Sequence, residues 1–126
     1  MIKILLVDDE KGITDTLQTF FGHRGFSIKA VNSGDEALKA IKTDKPDIIF
    51  LDIRMKGTNG LDVLKKVKEI DKNIKVIMLT IHEEKEFIDK AMQLGADEYI
   101  TKPFKIGYLE EVVTKKIQEV MKGREG

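Results

Sequence analysis

The sequence predicts an α/β fold: a parallel five-stranded sheet with helices on both faces, a doubly wound (βα)5 three-layer sandwich. Continuous apolar runs alternate with segments of helical periodicity along the chain, and the connections between them are short. Strict alternation of this kind favours parallel strands joined by crossover helices. With 126 residues, 41% of them hydrophobic, the chain has the size of one domain with a substantial core.

The predicted elements follow one another as five strand and helix pairs. We place strands near residues 2–7, 26–31, 47–51, 74–79 and 97–101, and helices near 11–23, 34–43, 60–70, 84–94 and 106–122. The first and last helices each carry one apolar stripe, formed by Ile13, Leu17, Phe20 and Phe21 and by Leu109, Val113, Ile117 and Val120. We expect one domain over residues 1–122, with 123–126 as a C-terminal tail or the start of a linker.

The apolar pattern of the strands also predicts their order in the sheet. The strands at 2–7, 47–51 and 74–79 are continuously apolar, as expected of strands buried on both faces. The strand at 26–31 alternates between apolar and polar residues, and the strand at 97–101 is short and mixed, so these two are the expected edges. The pattern fits the order 2-1-3-4-5 of flavodoxin-like sheets, in which ligands bind at the carboxyl ends of the strands.

Composition excludes several classes of function. The chain has no cysteine, which excludes disulfides, thiolate metal sites and a cysteine nucleophile and is consistent with a cytoplasmic location. Basic and acidic residues both number 22, so we expect no direct binding of nucleic acid by this domain. No apolar run approaches the roughly 20 residues that span a bilayer, so we expect a soluble protein without membrane association.

Polar side chains follow four of the five predicted strands. Asp8 and Asp9 follow the first strand, Asp52 the third, Thr80 the fourth and Lys102 the fifth. Because the carboxyl ends of parallel strands lie along one edge of a sheet, we expect these side chains to converge. Carboxylates brought close together repel one another unless a cation lies among them. Oxygen ligands without histidine or cysteine favour a hard ion such as Mg²⁺.

Carboxylates, a hard divalent ion, a hydroxyl and an ammonium group together suit phosphoryl transfer, with Asp52 as the natural nucleophile. Each residue alone also has a structural interpretation: the Asp8 to Glu10 segment as a helix N-cap, Asp52 as a strand-end cap and Thr80 as an ordinary strand residue. Four strand ends with complementary groups favour the functional interpretation. The acidic turn after the first strand also differs from the glycine-rich turns that hold a permanently bound phosphate, which disfavours a flavodoxin-like electron carrier.

Four segments resemble, in order and spacing, the receiver domain of two-component response regulators. They are VDDE at 7–10, FLDIRMKGTNG at 50–60, VIMLT at 76–80 and YITKPF at 99–104. The single-domain sporulation phosphorelay and chemotaxis regulators are the nearest in size. The resemblance implies a switch in which Asp52 accepts a phosphoryl group from a histidine kinase or a histidine phosphotransfer protein. Such a domain is not a classical enzyme, since it catalyses only its own phosphorylation and dephosphorylation.

The resemblance also implies a set of metal ligands. Asp9 and Asp52 would bind Mg²⁺ directly, or Mn²⁺ in its place, with the main-chain carbonyl of Arg54 as a third protein ligand. Asp8 would act largely through water. Glu10 would be only a first-turn charge favourable to the first helix.

Signalling in the family further implies roles for the ends of the fourth and fifth strands. Thr80 and Lys102 would hold phosphoryl oxygens, and the bond between Lys102 and Pro103 would be cis. A hydrogen bond from Thr80 would draw the fourth-strand loop inward, and Tyr99 would rotate into the space left behind. A downstream effector would then read the face of helix four, strand five and helix five, with the protein a monomer or a phosphorylation-dependent dimer.

The chain departs from the family at a few positions near the site. Ile81 stands where most receivers have a small residue, and we expect it to hinder attacking water. Arg54 and His82 stand two residues beyond Asp52 and Thr80, and both are expected to lie over the site. One can lengthen and the other shorten the lifetime of the phosphoryl group, so their effects can oppose each other. Lys56 replaces a usual proline and is expected to be exposed. A metal-dependent phosphohydrolase is a lesser alternative, because its Asp-x-Asp pair would need an acid at Arg54.

Overall fold

The computed structural model describes residues 1–55, 57–81 and 85–125. Within these ranges the strands are β1 (Lys3–Val7), β2 (Ser27–Val31), β3 (Ile48–Asp52), β4 (Arg54–Met55), β5 (Thr58–Asn59), β6 (Lys75–Thr80) and β7 (Glu98–Thr101). The helices are α1 (Lys11–Gly22), α2 (Gly34–Thr43), α3 (Gly60–Ile70), α4 (Lys85–Gln93) and α5 (Ile106–Glu125). The five predicted strands correspond to β1, β2, β3, β6 and β7.

The main sheet has five parallel strands in the order β2-β1-β3-β6-β7. This arrangement confirms the predicted fold class, the strand order and both edge strands. The register places Asp52 opposite Leu79 and Thr80 opposite Thr101, so β3, β6 and β7 end close to one another. The polar residues that follow these strands therefore lie along one edge of the sheet.

Two hydrophobic clusters cover the two faces of the sheet. Leu6, Phe50 and Leu79 of the strands pack in one cluster with residues of α1 and α5. Their neighbours along the strands, including Leu51 and Met78, pack in the other cluster with residues of α2, α3 and α4. The central strands are buried on both faces for this reason, which is why their sequences are continuously apolar.

Two features differ from the sequence predictions. The antiparallel pair β4–β5 directly follows β3 and was not predicted, because strands of two residues carry no periodic signal. The predicted end of the last helix at residue 122 is wrong, since α5 continues to Glu125. Its last turns are held at the amino-terminal ends of β3 and β6, where Arg124 pairs with Asp47 and Glu119 lies 3.6 Å from Lys75.

Helix α4 is attached less firmly than the other helices. Ala91 is the only fully buried residue among those of α4 that the structure describes, while Phe87 packs partly against the core. Gly95 follows this helix at a φ of +102°, a left-handed conformation that favours glycine. None of the described helices combines the length and the apolar character that crossing a membrane requires.

Candidate phosphorylation and metal site

The turn between β1 and α1 supplies the first part of the site. Asp8 is 2% exposed, and its Oδ1 accepts a hydrogen bond of 2.9 Å from the backbone N–H of Glu10. Glu10 is the N-cap residue of α1, and its side chain makes no capping hydrogen bond. Asp9, between them, is exposed. The turn therefore buries the carboxylate of Asp8 and leaves that of Glu10 available to other groups.

The carboxyl end of β3 supplies the second part. Asp52 is the last residue of the strand and is buried, and its Oδ1 accepts a hydrogen bond of 3.1 Å from the backbone N–H of Arg54. The backbone N–H of Gly60 donates to the carbonyl of Ile53 at 2.8 Å, so α3 begins in direct contact with this loop. A Cβ atom at Gly60 would lie 2.3 Å from the carbonyl oxygen of Asp52. Close backbone packing thus fixes the position of Asp52.

Lys102 lies between the two acidic segments and is buried. Its Nζ is 2.8 Å from Asp8 Oδ2, 3.3 Å from Asp52 Oδ2 and 3.5 Å from Glu10 Oε1. The backbone N–H of Lys102 donates to the carbonyl of Thr80 at 2.6 Å, which joins the end of β7 to the end of β6. The Lys102–Pro103 peptide bond is cis, as predicted. The ammonium group is therefore the common partner of three carboxylates.

Burial and charge shift the pKa values of the two central groups. Burial raises the pKa of Asp52 from 3.8 to about 6; Lys102 acts against this shift and Asp8 adds to it. Burial alone would lower the pKa of Lys102, but the hydrogen bond to Asp8 and the charges of Asp52, Asp8 and Glu10 raise it. Lys102 is therefore a permanent cation, whereas Asp52 changes protonation near neutral pH. Positive charge added beside Asp52 would favour its ionised form.

The carboxylates at this site fit a hard divalent cation. Oxygen atoms of Asp8, Glu10 and Asp52 lie within 4.8 Å of one another, and oxygen ligands are those that Mg²⁺ prefers. Asp9 does not belong to this group of described residues, although the sequence analysis gave it the direct contact. Glu10 is the N-cap residue of α1 rather than a member of its first turn, and its carboxylate belongs to this group. The direct roles of Asp9 and of the Arg54 carbonyl stay predictions.

A small cavity of about 40 Å³ opens beside the carboxylate of Asp52. Thr80 is buried in its wall, and Ile81, which is 58% exposed, stands at its mouth. Arg54 also borders the cavity, and its guanidinium carbon lies 5.1 Å from the ring centroid of Phe87 in α4. The structure thus brings Thr80, Ile81 and Arg54 to Asp52, and it connects the loop after β3 with α4.

Tyr99 lies apart from this cavity, on the outer side of β7. It is 37% exposed and borders one groove with Phe104 and Tyr108 and another with Ile88 of α4. In the register of β6 and β7 it stands opposite Met78, two positions before Thr80. The predictions for His82 and Lys56 fall outside the described residues.

Residue Glu10 is the member of the site that the sequence analysis missed. Its position in the motif VDDE placed it next to two predicted ligands, which was the available signal. Whether Glu10 faces the site depends on the path of the backbone as it enters α1. The sequence pattern does not predict that path.

The chain is similar to known proteins both in sequence and in fold. Residues 4–114 match the family model described as the response regulator receiver domain. The chain is 36% identical over 113 residues to sporulation initiation phosphotransferase F of Bacillus subtilis, covering 90% of this chain and 91% of that protein. It is 42% identical over 104 residues to the response regulator SaeR of Staphylococcus epidermidis, covering 82% of this chain but only 45% of SaeR.

Among solved structures, the chain is similar to a CheY-like response regulator receiver domain protein from Methanospirillum hungatei. The TM-score is 0.94 at 28% sequence identity, with 100% of this chain and 99% of the other covered.

Proposed function

Because this chain belongs to the family of response regulator receiver domains, we propose that it is a phosphorylation-dependent switch whose phosphoacceptor is Asp52. One observation carries the assignment: the Asp52 carboxylate stands at the end of a central strand, 3.3 Å from a buried ammonium and beside a cavity shared with Thr80. The family works in two-component signalling, which implies a histidine kinase or phosphotransfer partner and often a downstream effector.

The proposed reaction is a single phosphoryl transfer. An ionised oxygen of Asp52 attacks the phosphorus of a phosphohistidine, the P–O bond forms, and the electrons of the broken P–N bond return to the imidazole nitrogen, which takes up a proton. Water later attacks the same phosphorus and returns Asp52 to the carboxylate with release of inorganic phosphate. The chain would thus catalyse its own modification and its reversal rather than turn over a separate substrate.

The residues around Asp52 have separate tasks in this reaction. Lys102 neutralises charge on the phosphoryl oxygens, and Thr80 offers a hydroxyl donor from the wall of the cavity. Asp8, Glu10 and Asp52, with Asp9 beside them, would hold Mg²⁺, or Mn²⁺ in its place. A bound divalent ion would neutralise the developing negative charge and favour ionised Asp52.

We propose that the signal leaves the site through Thr80 and Tyr99. A hydroxyl drawn toward the phosphoryl group would move the end of β6, and Tyr99 would turn inward from its exposed position on β7. The contact of Arg54 with Phe87 supports a second connection from the site to α4. An effector would read the face formed by α4, β7 and α5.

The proposal is tested by incubating the protein with acetyl phosphate and Mg²⁺ and measuring its intact mass. We expect one added phosphate in the wild type and none in Asp52→Asn. The variant Asp15→Asn, which alters an exposed carboxylate on α1, should gain phosphate as the wild type does. Absence of an adduct with acetyl phosphate and with phosphoramidate, or an adduct that persists in Asp52→Asn, would contradict the proposal.

Shortening Ile81 is expected to shorten the lifetime of the phosphorylated form. Its side chain stands at the mouth of the cavity, where it restricts the approach of water to the phosphorus atom. Loss of phosphate from Ile81→Ala, followed by mass spectrometry after removal of the donor, should be several-fold faster than from the wild type. Ile70→Ala, at an exposed isoleucine that ends α3, should decay at the wild-type rate. An equal or slower decay in Ile81→Ala would contradict this role of Ile81 in restricting the approach of water.

A further inference from the structure

Residue Glu10 differs from the other two carboxylates that contact Lys102. The side chains of Asp8 and Asp52 are 2% and 8% exposed, whereas that of Glu10 is 57% exposed. The 3.5 Å separation of Glu10 from the ammonium is also the longest of the three, and it lacks the hydrogen bonds that Asp8 and Asp52 accept from Lys102. Glu10 is therefore the outermost partner of Lys102.

The two buried carboxylates are fixed at both of their oxygen atoms. In each, one oxygen accepts from Lys102 and the other from a backbone N–H, that of Glu10 for Asp8 and that of Arg54 for Asp52. Among the described residues no hydrogen bond holds the carboxylate of Glu10. Because an exposed carboxylate exchanges an ion pair for water at little cost, Glu10 is the partner that can leave.

Phosphorylation at Asp52 would favour such a departure. An ammonium group has three N–H donors, and three carboxylates already surround that of Lys102. Phosphoryl oxygens on Asp52 would compete for these donors, and the negative charge of Glu10 would repel them. The same charge acts in the opposite direction on a divalent cation, because an oxygen of Glu10 lies within 4.8 Å of those of Asp8 and Asp52.

We propose that Glu10 is a positioning residue that holds Lys102 in the resting site, yields it to the phosphoryl group, and adds to the affinity of the site for a divalent cation. The inference rests on the proposed function, since it assigns a further residue to the same site. Neutralising Glu10 should therefore weaken metal binding and also speed phosphorylation. A purely structural role of Glu10 would not produce both effects together.

The test compares wild type, Glu10→Gln and Glu69→Gln. The Glu10 variant should fold normally, because this side chain is exposed and makes no capping hydrogen bond. Glu69 supplies the control: it is an exposed glutamate near the end of α3, and its replacement removes the same charge. Mg²⁺ affinity is measured by NMR titration, and the rate of phosphorylation by acetyl phosphate is measured at saturating Mg²⁺ for each protein.

In Glu10→Gln we expect the Kd for Mg²⁺ to rise about fivefold, the effect of one charge about 5 Å from a divalent ion in screened solvent. The phosphorylation rate at saturation should rise several-fold, while Glu69→Gln should match the wild type in both measurements. A Kd within twofold of the wild type, or a phosphorylation rate that is unchanged or lower, would overturn the inference. If the wild type itself gains no phosphate, the proposed function fails separately, and the Mg²⁺ titration alone decides whether Glu10 belongs to the site.

Discussion

Replacing Lys102 by methionine is expected to lower the free energy of unfolding by about 3–5 kcal/mol at about pH 8 without divalent metal. The substitution keeps a long side chain but leaves the buried carboxylates of Asp8 and Asp52 without their counter-ion. Chemical denaturation measures the loss. Phosphorylation by acetyl phosphate should fall in the same variant, because no ammonium remains to neutralise the phosphoryl oxygens.

The loss in Lys102→Met should depend on pH. The pKa of Asp52 is already raised from 3.8 to about 6, and removal of Lys102 raises it further. A carboxyl group with a higher pKa in the folded state binds more protons there, so stability falls as the pH rises from its unfolded value to its folded value. Wild type and variant lose this stability alike up to about pH 6, so the deficit of the variant should grow as the pH rises above about 6 and be smallest below it.

A matched control is Lys105→Met, which removes an exposed ammonium three residues along the chain. Its stability should stay within about 0.5 kcal/mol of the wild type at either pH. Addition of Mg²⁺ should restore part of the stability of Lys102→Met, because a cation that binds the folded state stabilises it. A deficit that is absent, or that is equal at acidic and alkaline pH, would contradict the assigned role of Lys102 as the counter-ion.

Replacing Gly60 by alanine is expected to lower the free energy of unfolding by about 3 kcal/mol, toward the upper end of the range for overpacking. The new Cβ would lie 2.3 Å from the Asp52 carbonyl oxygen and 2.7 Å from the Cα of Ile53, both backbone atoms that cannot rotate aside. Either α3 or the end of β3 must move. Because that movement displaces Asp52, phosphorylation should also slow by about tenfold or more.

The control for Gly60 is Gly107→Ala, in the first turn of α5. A Cβ at Gly107 has nothing within 4 Å, so the substitution should leave stability unchanged or raise it by up to about 1 kcal/mol through helix propensity. Thermal or chemical denaturation should show a loss of stability in Gly60→Ala and no loss in Gly107→Ala. A Gly60→Ala protein as stable as the wild type would contradict the close contact between α3 and β3.

The fold was largely predictable because hydrophobic periodicity and burial have the same physical cause. The continuous apolar runs of β1, β3 and β6 reflect burial on both faces, and the alternation in β2 reflects its edge position. The β4–β5 pair was not predictable, since it depends on the path of one loop. The extra turn of α5 is supported by the ion pair of Arg124 with Asp47, a residue distant in sequence.

The site was predictable to the extent that strand ends determine it. Four site residues lie at the carboxyl ends of neighbouring strands: Asp8 after β1, Asp52 at the end of β3, Thr80 at the end of β6 and Lys102 after β7. A parallel sheet brings such positions together. The distribution of roles within the turn after β1 was not predictable in this way. The path of the backbone there buries Asp8, exposes Asp9 and places Glu10 near Lys102. All three residues are acidic, so residue type alone does not distinguish their positions.

Because α4 buries few side chains, the free energy needed to shift this helix is small. A hydrogen bond to a charged phosphoryl oxygen contributes about 1.5–3 kcal/mol, which is small beside the cost of opening a well-packed core. With Ala91 as the one fully buried residue among those described in α4, little apolar surface has to be exposed for this helix to shift. If Asp52 is phosphorylated as proposed, an input of that size would be sufficient to redistribute the positions of α4 while the rest of the sheet and its other helices stay in place.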